Sequence, residues 1–269
     1  MTDQEWVRAL RSIAAGVAEE VTPLLGTEQG RQILGRGAGG DRTVELDRRA
    51  EEVALQGLRA LGEPCTVLSE ETGRIDLGAP YPLIFIDPVD GSLNAKRGVP
   101  VAAVMMSLLD GPTLGDVRVG VIHELFGGRS WHAVRGGGLF RDGERIAPQP
   151  AGPNPMEILV MEVRPAYLEA AMPLILQFSR MRLLGSIAIS LLQVASGAAD
   201  VFCSAMAGRA FDMTAALVMI REAGGVLTDF EGGDLLHLRA GLEQRATLLC
   251  AGDEDRHRRA LQVLREARG

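Results

Sequence analysis

The sequence predicts an α+β protein, in which mainly antiparallel β-structure precedes alternating strands and helices. Residues 101–146 read as alternating β-segments typical of an antiparallel sheet, with a tight DGE turn at 142–144. Beyond residue 156, strand-like and helix-like segments alternate. We therefore expect two packed halves, an N-terminal α+β half over 1–150 and a C-terminal α/β half over 151–269. The boundary falls in a segment that cannot form regular structure because of its prolines, Pro148, Pro150, Pro153 and Pro155.

The N-terminal half begins with two predicted amphipathic helices, over 3–25 and 44–62. In each of them apolar residues recur every three or four positions and so share one face. A short strand follows at 66–68 and ends at two carboxylates, Glu70 and Glu71. Acidic side chains at a strand end are a first indication of a polar site.

The segment between these helices is rich in glycine, and Gly35, Gly37 and Gly40 match the pattern GxGxxG. A dinucleotide-binding loop requires a strand before this pattern and a helix after it, within a βαβ unit. No such unit is evident, so a flexible loop is favoured. A nucleotide-binding oxidoreductase stays open as a minor alternative.

The C-terminal half is predicted to alternate between strands and helices. The predicted strands are EILVMEV, RMRLLG, ADVFCS, VLTDF and TLLCAG. The predicted helices span about 166–178, 187–196, 212–224 and 253–267.

Composition limits the partners of this 269-residue chain. Its net charge of −7 argues against nucleic acid and anionic membranes, since the overall field would repel them. No stretch has the length of an apolar membrane span, and the N-terminus lacks the pattern of a signal peptide. The three cysteines lie in apolar surroundings without CxxC spacing, which is typical of core thiols in a reducing compartment. We expect a cytoplasmic protein.

The stretch PLIFIDPVDGSLN, residues 82–94, carries the strongest chemical signal. An apolar strand ends here at Asp87 and Asp90, and unpaired buried carboxylates are costly unless a cation compensates them. The spacing suits Mg²⁺, to which the Val89 carbonyl can add a third oxygen. The N–H groups of Gly91 and Ser92 are then available to an anion. A plain surface turn is the alternative, whereas an EF-hand is disfavoured because its other ligand positions lack oxygen side chains.

IDPVDGSLN resembles the signature of the inositol monophosphatase family, the Mg²⁺-dependent, lithium-sensitive sugar-phosphate phosphatases. GDRTVELDRRAEE, LSEETGRID and RAFDMTAALVMIREAGG resemble other blocks of the family, in the same order. The segments GDRTVELD and SEETGRID are similar to those of archaeal-type members that act on both inositol monophosphate and fructose 1,6-bisphosphate. The resemblance implies a five-layer αβαβα sugar-phosphatase fold, two or three Mg²⁺ ions and a homodimer.

The resemblance also implies roles for individual residues. The implied metal ligands are Glu70, Asp87, the carbonyl of Val89, Asp90 and Asp212. The implied catalytic residues are Asp47 and Ser92, hydrogen-bonded to each other and orienting the attacking water, together with Glu70. The implied substrate-binding residues are Gly91, Ser92, Ser186, Arg209 and Asp212, with Arg164 as a weaker candidate. Without the resemblance, Asp47 could be a solvated first-turn residue, Asp212 a helix N-cap and Arg209 a surface side chain.

The function implied is hydrolysis of sugar or polyol phosphate monoesters by metal-activated water. Histidinol phosphate and adenosine 3′,5′-bisphosphate are alternative substrates, and a catalytically idle metal-binding regulatory protein is an alternative of another class. Three residues depart from the family pattern and affect the shape of the pocket, Ala95, Phe211 and Thr214. Ser204 or Ala205 stands where animal enzymes carry an acidic residue that grips inositol, which weakens the case for inositol.

Overall fold

A computed structural model describes residues 1–40, 42–147 and 156–267 of the chain. The predicted proline-rich boundary between the halves, Pro148 to Pro155, lies outside the described residues. No helix within the described ranges combines the length and apolar character needed to cross a membrane.

The described chain forms seven α-helices and fifteen strands. The helices are α1 (Asp3–Val21), α2 (Glu45–Leu61), α3 (Ser92–Arg97), α4 (Leu168–Ile175), α5 (Ile187–Ala195), α6 (Thr214–Glu222) and α7 (Glu254–Glu266). The strands of the first half are β1 (Ile33–Arg36), β2 (Arg42–Val44), β3 (Thr66–Ser69), β4 (Gly73–Asp76), β5 (Leu83–Asp90), β6 (Ala103–Leu109), β7 (Val117–Glu124), β8 (Ser130–Val134), β9 (Gly138–Arg141) and β10 (Glu144–Arg145). Those of the second half are β11 (Ile158–Met161), β12 (Arg180–Leu183), β13 (Val201–Arg209), β14 (Val226–Thr228) and β15 (Arg245–Ala251).

Two large sheets organise these strands. The first has eight strands in the order β10-β9-β8-β7-β6-β5-β3-β4, and its pairs are antiparallel except β3 with β5. The second has five strands in the order β12-β11-β13-β15-β14 and mixes parallel with antiparallel pairs. Strands β1 and β2 form a separate antiparallel pair.

Alternating side chains of the strands sort the core into layers. In β5, Ile84 and Ile86 pack with residues of α1 and α2, whereas Phe85 packs with residues of α5 and α6. In β13, Phe202 packs with this middle pair of helices, and Cys203 packs with α4 and α7 on the outer face. The order of layers is therefore helices, sheet, helices, sheet, helices, which confirms the predicted α+β, five-layer αβαβα fold.

The structure corrects several predicted boundaries. The predicted flexible glycine loop contains instead the paired strands β1 and β2, and Gly35 lies inside β1, which pairs antiparallel with β2. Helix α6 begins at Thr214, so Asp212 lies in the 3₁₀ turn Ala210–Met213 rather than at a helix N-cap. The sequence also missed β4, because its four residues carry only one strongly β-forming side chain. The DGE turn is confirmed, with positive φ at Asp142 and Gly143.

Candidate active site

A polar cavity of about 650 Å³ opens beside the end of β5, where residues of the two sheets and of the β1–β2 pair meet. All ten residues predicted from the sequence as site residues line it, namely Asp47, Glu70, Asp87, Val89, Asp90, Gly91, Ser92, Ser186, Arg209 and Asp212. Arg164, the weaker candidate, lines it as well. Elements far apart in the sequence therefore converge on one site.

Strand β5 delivers the two central carboxylates. All eight of its residues are buried, and the register with β6 slips between Asp87 and Asp90, so the strand is irregular where its acidic residues stand. The Val89 N–H donates to Asp87 Oδ1 at 3.1 Å, and this contact fixes the turn around Pro88. Gly91 follows with φ of 85°, a conformation that favours glycine. A Cβ atom there would lie 3.0 Å from the Val101 carbonyl oxygen.

Asp90 is held by the second half of the chain. It accepts hydrogen bonds from the Ser186 hydroxyl and from the N–H groups of Ile187 (3.2 Å) and Ala188 (3.0 Å), at the start of α5. Ser186 was expected to bind substrate, but its hydroxyl is committed to Asp90 and also accepts from the Ile189 N–H. Burial raises the pKa of Asp90 to about 7, although the Ser186 hydroxyl opposes this rise.

Arg209 lies between two of the predicted metal ligands. Its Nη1 is 2.6 Å from Glu70 Oε1, and its Nη2 is 2.9 Å from Asp212 Oδ1. Its Nε donates to both oxygens of Asp212, at 3.0 and 3.2 Å. Arg209 was predicted to bind the substrate, whereas in the structure its guanidinium pairs with protein carboxylates. In the part of the chain that is described, no group of three or more His, Cys, Asp or Glu side chains is arranged so that it could hold a metal ion.

The residues nevertheless fit a hard divalent cation. Burial raises the pKa of Asp87 well above its usual range, and Glu70, Asp90 and Asp212 raise it further by repulsion. Burial also raises the pKa of Asp212 to about 6, against the effect of Arg209. Crowded, buried carboxylates are stabilised by a cation, and an all-oxygen donor set suits Mg²⁺ better than a softer metal.

Asp47 and Ser92 lie close enough together to interact, although the Ser92 hydroxyl is directed to Val89. The Ser92 hydroxyl donates to the Val89 carbonyl at 2.8 Å, because the turn before α3 brings that oxygen within reach. Asp47 Oδ2 accepts the Val44 N–H at 3.3 Å and lies 3.8 Å from Lys96 Nζ. Asp47 Oδ1 is buried without a hydrogen-bond partner among the described residues. Burial raises the pKa of Asp47 to about 6, and Lys96 partly offsets this effect.

Sequence reasoning noted Glu71 beside Glu70 without giving it a role. It missed four other residues that line the cavity, Arg36, Arg42, Lys96 and Glu162. Glu162 follows the end of β11, so the signal that identified Glu70 and Glu71 could also have identified it. Lys96 stands four residues after Ser92 and so shares its face of α3. Arg36 and Arg42 gave no signal, because the strand pair that carries them was taken as a flexible loop.

Asn94 was missed too. Its side-chain amide donates to the Leu184 carbonyl at 2.6 Å and to the Val101 carbonyl at 2.9 Å. It thus ties α3 to the loop before α5 and holds the two walls of the cavity together.

Comparisons with known proteins agree with this arrangement. The model of the inositol monophosphatase family matches residues 2–267. A fructose-1,6-bisphosphatase/inositol-1-monophosphatase of Methanothermobacter thermautotrophicus is 30% identical, with 96% of each chain covered. A bifunctional NADP phosphatase/NAD kinase of Methanococcus maripaludis is 28% identical, over 90% of this chain and 46% of that protein.

Among solved structures, the chain is similar to an inositol monophosphatase–fructose 1,6-bisphosphatase, with a TM-score of 0.84 and 25% identity. The similarity covers 96% of this chain and 99% of the other. The chain belongs to the inositol monophosphatase family and is a phosphoric monoester hydrolase.

Proposed function

We propose that this protein is a Mg²⁺-dependent phosphatase that hydrolyses phosphate monoesters of sugars or polyols. The observation that carries the proposal is the convergence of Glu70, Asp87, Asp90 and Asp212 on one cavity. These four carboxylates and the Val89 carbonyl would hold two or three ions. When bound, the ions supply Lewis-acid stabilisation of the phosphate and of the departing oxygen, and they make a bound water more acidic.

The protein itself supplies a base and an orienting group. Asp47 Oδ1 is buried and unpartnered among the described residues, so it can accept a proton from the attacking water. With a pKa of about 6, Asp47 is mostly ionised at neutral pH. The Ser92 hydroxyl would turn from the Val89 carbonyl towards this water, and its own N–H and that of Gly91 would bind the phosphate.

Basic side chains at the cavity favour a substrate with a second phosphate. Arg36, Arg42 and Arg164 line it without belonging to the proposed metal set, and Lys96 stands beside Asp47. Guanidinium groups bind phosphate oxygens through paired hydrogen bonds. Fructose 1,6-bisphosphate therefore ranks before inositol monophosphate as the proposed substrate.

NADP is a second candidate substrate, because a relative is named as an NADP phosphatase and because its size suits a cavity of about 650 Å³. Histidinol phosphate and adenosine 3′,5′-bisphosphate remain alternatives. The test is phosphate release from all five compounds with Mg²⁺, with chelator and with lithium. We expect fructose 1,6-bisphosphate to give the highest kcat/KM. An Arg164→Gln variant should raise its KM more than that of inositol 1-phosphate. Release that persists in chelator would contradict the proposal.

We also propose a homodimer that acts in the cytoplasm. Exposed apolar side chains cluster on the edge strand β12 and around α4, where Leu176 is 73% exposed and Leu183 52%. A second copy of the chain would cover this patch. The free, buried cysteines Cys65, Cys203 and Cys250 suit a reducing compartment.

A further inference from the structure

A second polar cleft lies on the outer helix layer, where α1 packs against β7 and β8. Its volume is about 410 Å³, and it is lined by Arg8, Arg11 and Ser12 of α1 and by His123 and Ser130 of the sheet, with Ala15, Gly128 and Asp142 at its margin. No described residue lines both this cleft and the cavity of the candidate active site. The chemistry proposed above therefore leaves the cleft unexplained.

The two arginines give the cleft its charge. Neither guanidinium forms a salt bridge with a carboxylate in the described part of the chain. Several other arginines of this protein do pair with Asp or Glu. Arg11 Nε donates to the Ser130 hydroxyl at 3.0 Å, which fixes the guanidinium at the wall of the cleft. Most of the hydrogen-bonding capacity of the two groups is thus available to a ligand.

His123 adds an independent observation. Its side chain is buried, with 9% exposure, yet its Nδ1 atom has no hydrogen-bond partner among the described residues. Buried polar atoms are nearly always hydrogen-bonded, so His123, which lines the cleft, carries an unsatisfied polar atom at the cleft wall. Burial lowers the pKa of His123. Asp142 and Glu124 oppose this effect, and Arg11 adds to it.

We propose that this cleft binds a phosphate group, either free phosphate or the phosphate of a small ester. Arg8, Arg11, the Ser12 hydroxyl and a ring N–H of His123 would donate to its oxygens. Asp142 opposes binding, because its carboxylate lies at the margin, where its Oδ1 accepts the Ser130 N–H at 2.8 Å. The cleft is larger than phosphate alone, which leaves space for an organic group. This site is independent of the function proposed above.

The test follows the histidine rings by NMR while inorganic phosphate is added to the full chain in chelator. The chain has four histidines, so the His123 signal can be assigned from the spectrum that lacks it in a His123→Gln variant. Chelator removes the divalent ions, and the carboxylates of the active-site cavity then repel phosphate. We expect a saturable shift of the His123 signal.

Three variants sharpen the test. Arg8→Gln should weaken phosphate binding about 10-fold, and Arg8 is exposed, so the variant should fold. Asp142→Asn should tighten binding several-fold because it removes the opposing charge. Arg59→Gln, which makes the same change at an exposed position of α2, should leave binding within about twofold of wild type. Absence of a saturable shift, or equal shifts in wild type and Arg8→Gln, overturns the proposal.

A second titration with glycerol 2-phosphate distinguishes the two sources of phosphate. Tighter binding of the ester than of inorganic phosphate identifies an organic phosphate as the ligand. Equal or weaker binding identifies free phosphate. Neither result depends on turnover. Phosphate binding in this cleft can therefore be tested even if the proposed phosphatase activity is absent.

Discussion

Arg209 and Glu70 meet across the candidate active site, with Nη1 of the arginine 2.6 Å from Oε1 of the glutamate. The same guanidinium binds Asp212. Two of the proposed metal ligands therefore share one protein cation. We therefore expect Arg209 and a metal ion to compete for these carboxylate oxygens.

This relationship predicts the behaviour of Arg209→Gln. In chelator the variant should be less stable than wild type by about 3 kcal/mol, because two buried carboxylates lose their partner. Mg²⁺ should restore much of this loss, so its stabilising effect should exceed that on wild type. Thermal unfolding with and without Mg²⁺ measures both quantities. Arg164→Gln is the control, since Arg164 lines the same cavity. Equal stability of Arg209→Gln and wild type in chelator would contradict the expected competition between Arg209 and a metal ion.

Gly91→Ala tests the close packing around the motif turn. Alanine at φ of 85° costs about 1 kcal/mol, and its Cβ would also meet the Val101 carbonyl at 3.0 Å. We expect a loss of about 3 kcal/mol in the free energy of unfolding and a large drop in turnover. Gly62→Ala is the matched control, because Gly62 has φ of 68° with open space around its Cβ. Chemical denaturation of both variants compares them. Similar losses would show that the contact with Val101 is unimportant.

The lowered pKa of His132 predicts that the folded protein becomes less stable in acid. Burial lowers its pKa to about 4, and Arg11 contributes in the same direction. Below pH of about 6.5 the unfolded chain binds a proton at this ring that the folded chain does not, so stability falls with pH. The loss should begin near pH 6.5, be complete near pH 4 and reach about 3 kcal/mol at most.

A His132→Gln variant should lose this part of the pH dependence. Its free energy of unfolding, measured by denaturant titration between pH 7 and 4, should fall less than that of wild type. His237→Gln, at an exposed position, should follow the wild-type curve. If the two variants gave the same curve, His132 would not be the group responsible.

The apolar patch on β12 predicts the assembly state. Leu183→Glu should convert a dimer to a monomer, because a charge would enter the centre of the proposed interface. Light scattering after size-exclusion chromatography measures the mass directly. Leu34→Glu is the control, since Leu34 is 45% exposed on β1, compared with 52% for Leu183. A dimer that persists in Leu183→Glu would place the interface elsewhere.

The α+β class could be predicted from local patterns, whereas the five-layer order and most members of the cavity followed from the family resemblance. Alternation along β5 separates Phe85 from Ile84 and Ile86, and the same alternation distributes them between two helix layers. Glu70, Asp87 and Asp90 were identified because each stands near the end of a strand. Asp47 and Asp212 were assigned to the site through the family resemblance. Their convergence follows from the topology of the sheets.

The hydrogen bonds within the cavity could not be predicted. Whether Ser92 donates to Asp47 or to Val89 depends on the turn geometry of a few atoms, and no residue spacing encodes it. The pairing of Arg209 with Glu70 joins residues 139 positions apart by sequence number (209 − 70). The β1–β2 pair was missed because both strands are short and Gly35 interrupts the side-chain pattern of β1.

The four carboxylates of the cavity, Glu70, Asp87, Asp90 and Asp212, are proposed to hold the ions that hydrolysis requires. Calorimetric titration of Mg²⁺, paired with phosphate release from fructose 1,6-bisphosphate, tests this claim in wild type, Asp87→Asn and the exposed control Asp255→Asn. We predict that Asp87→Asn weakens Mg²⁺ binding at least about 10-fold and abolishes release while the fold persists, and that Asp255→Asn changes neither. Unchanged Mg²⁺ binding in Asp87→Asn, or wild-type turnover in chelator, would contradict the claim.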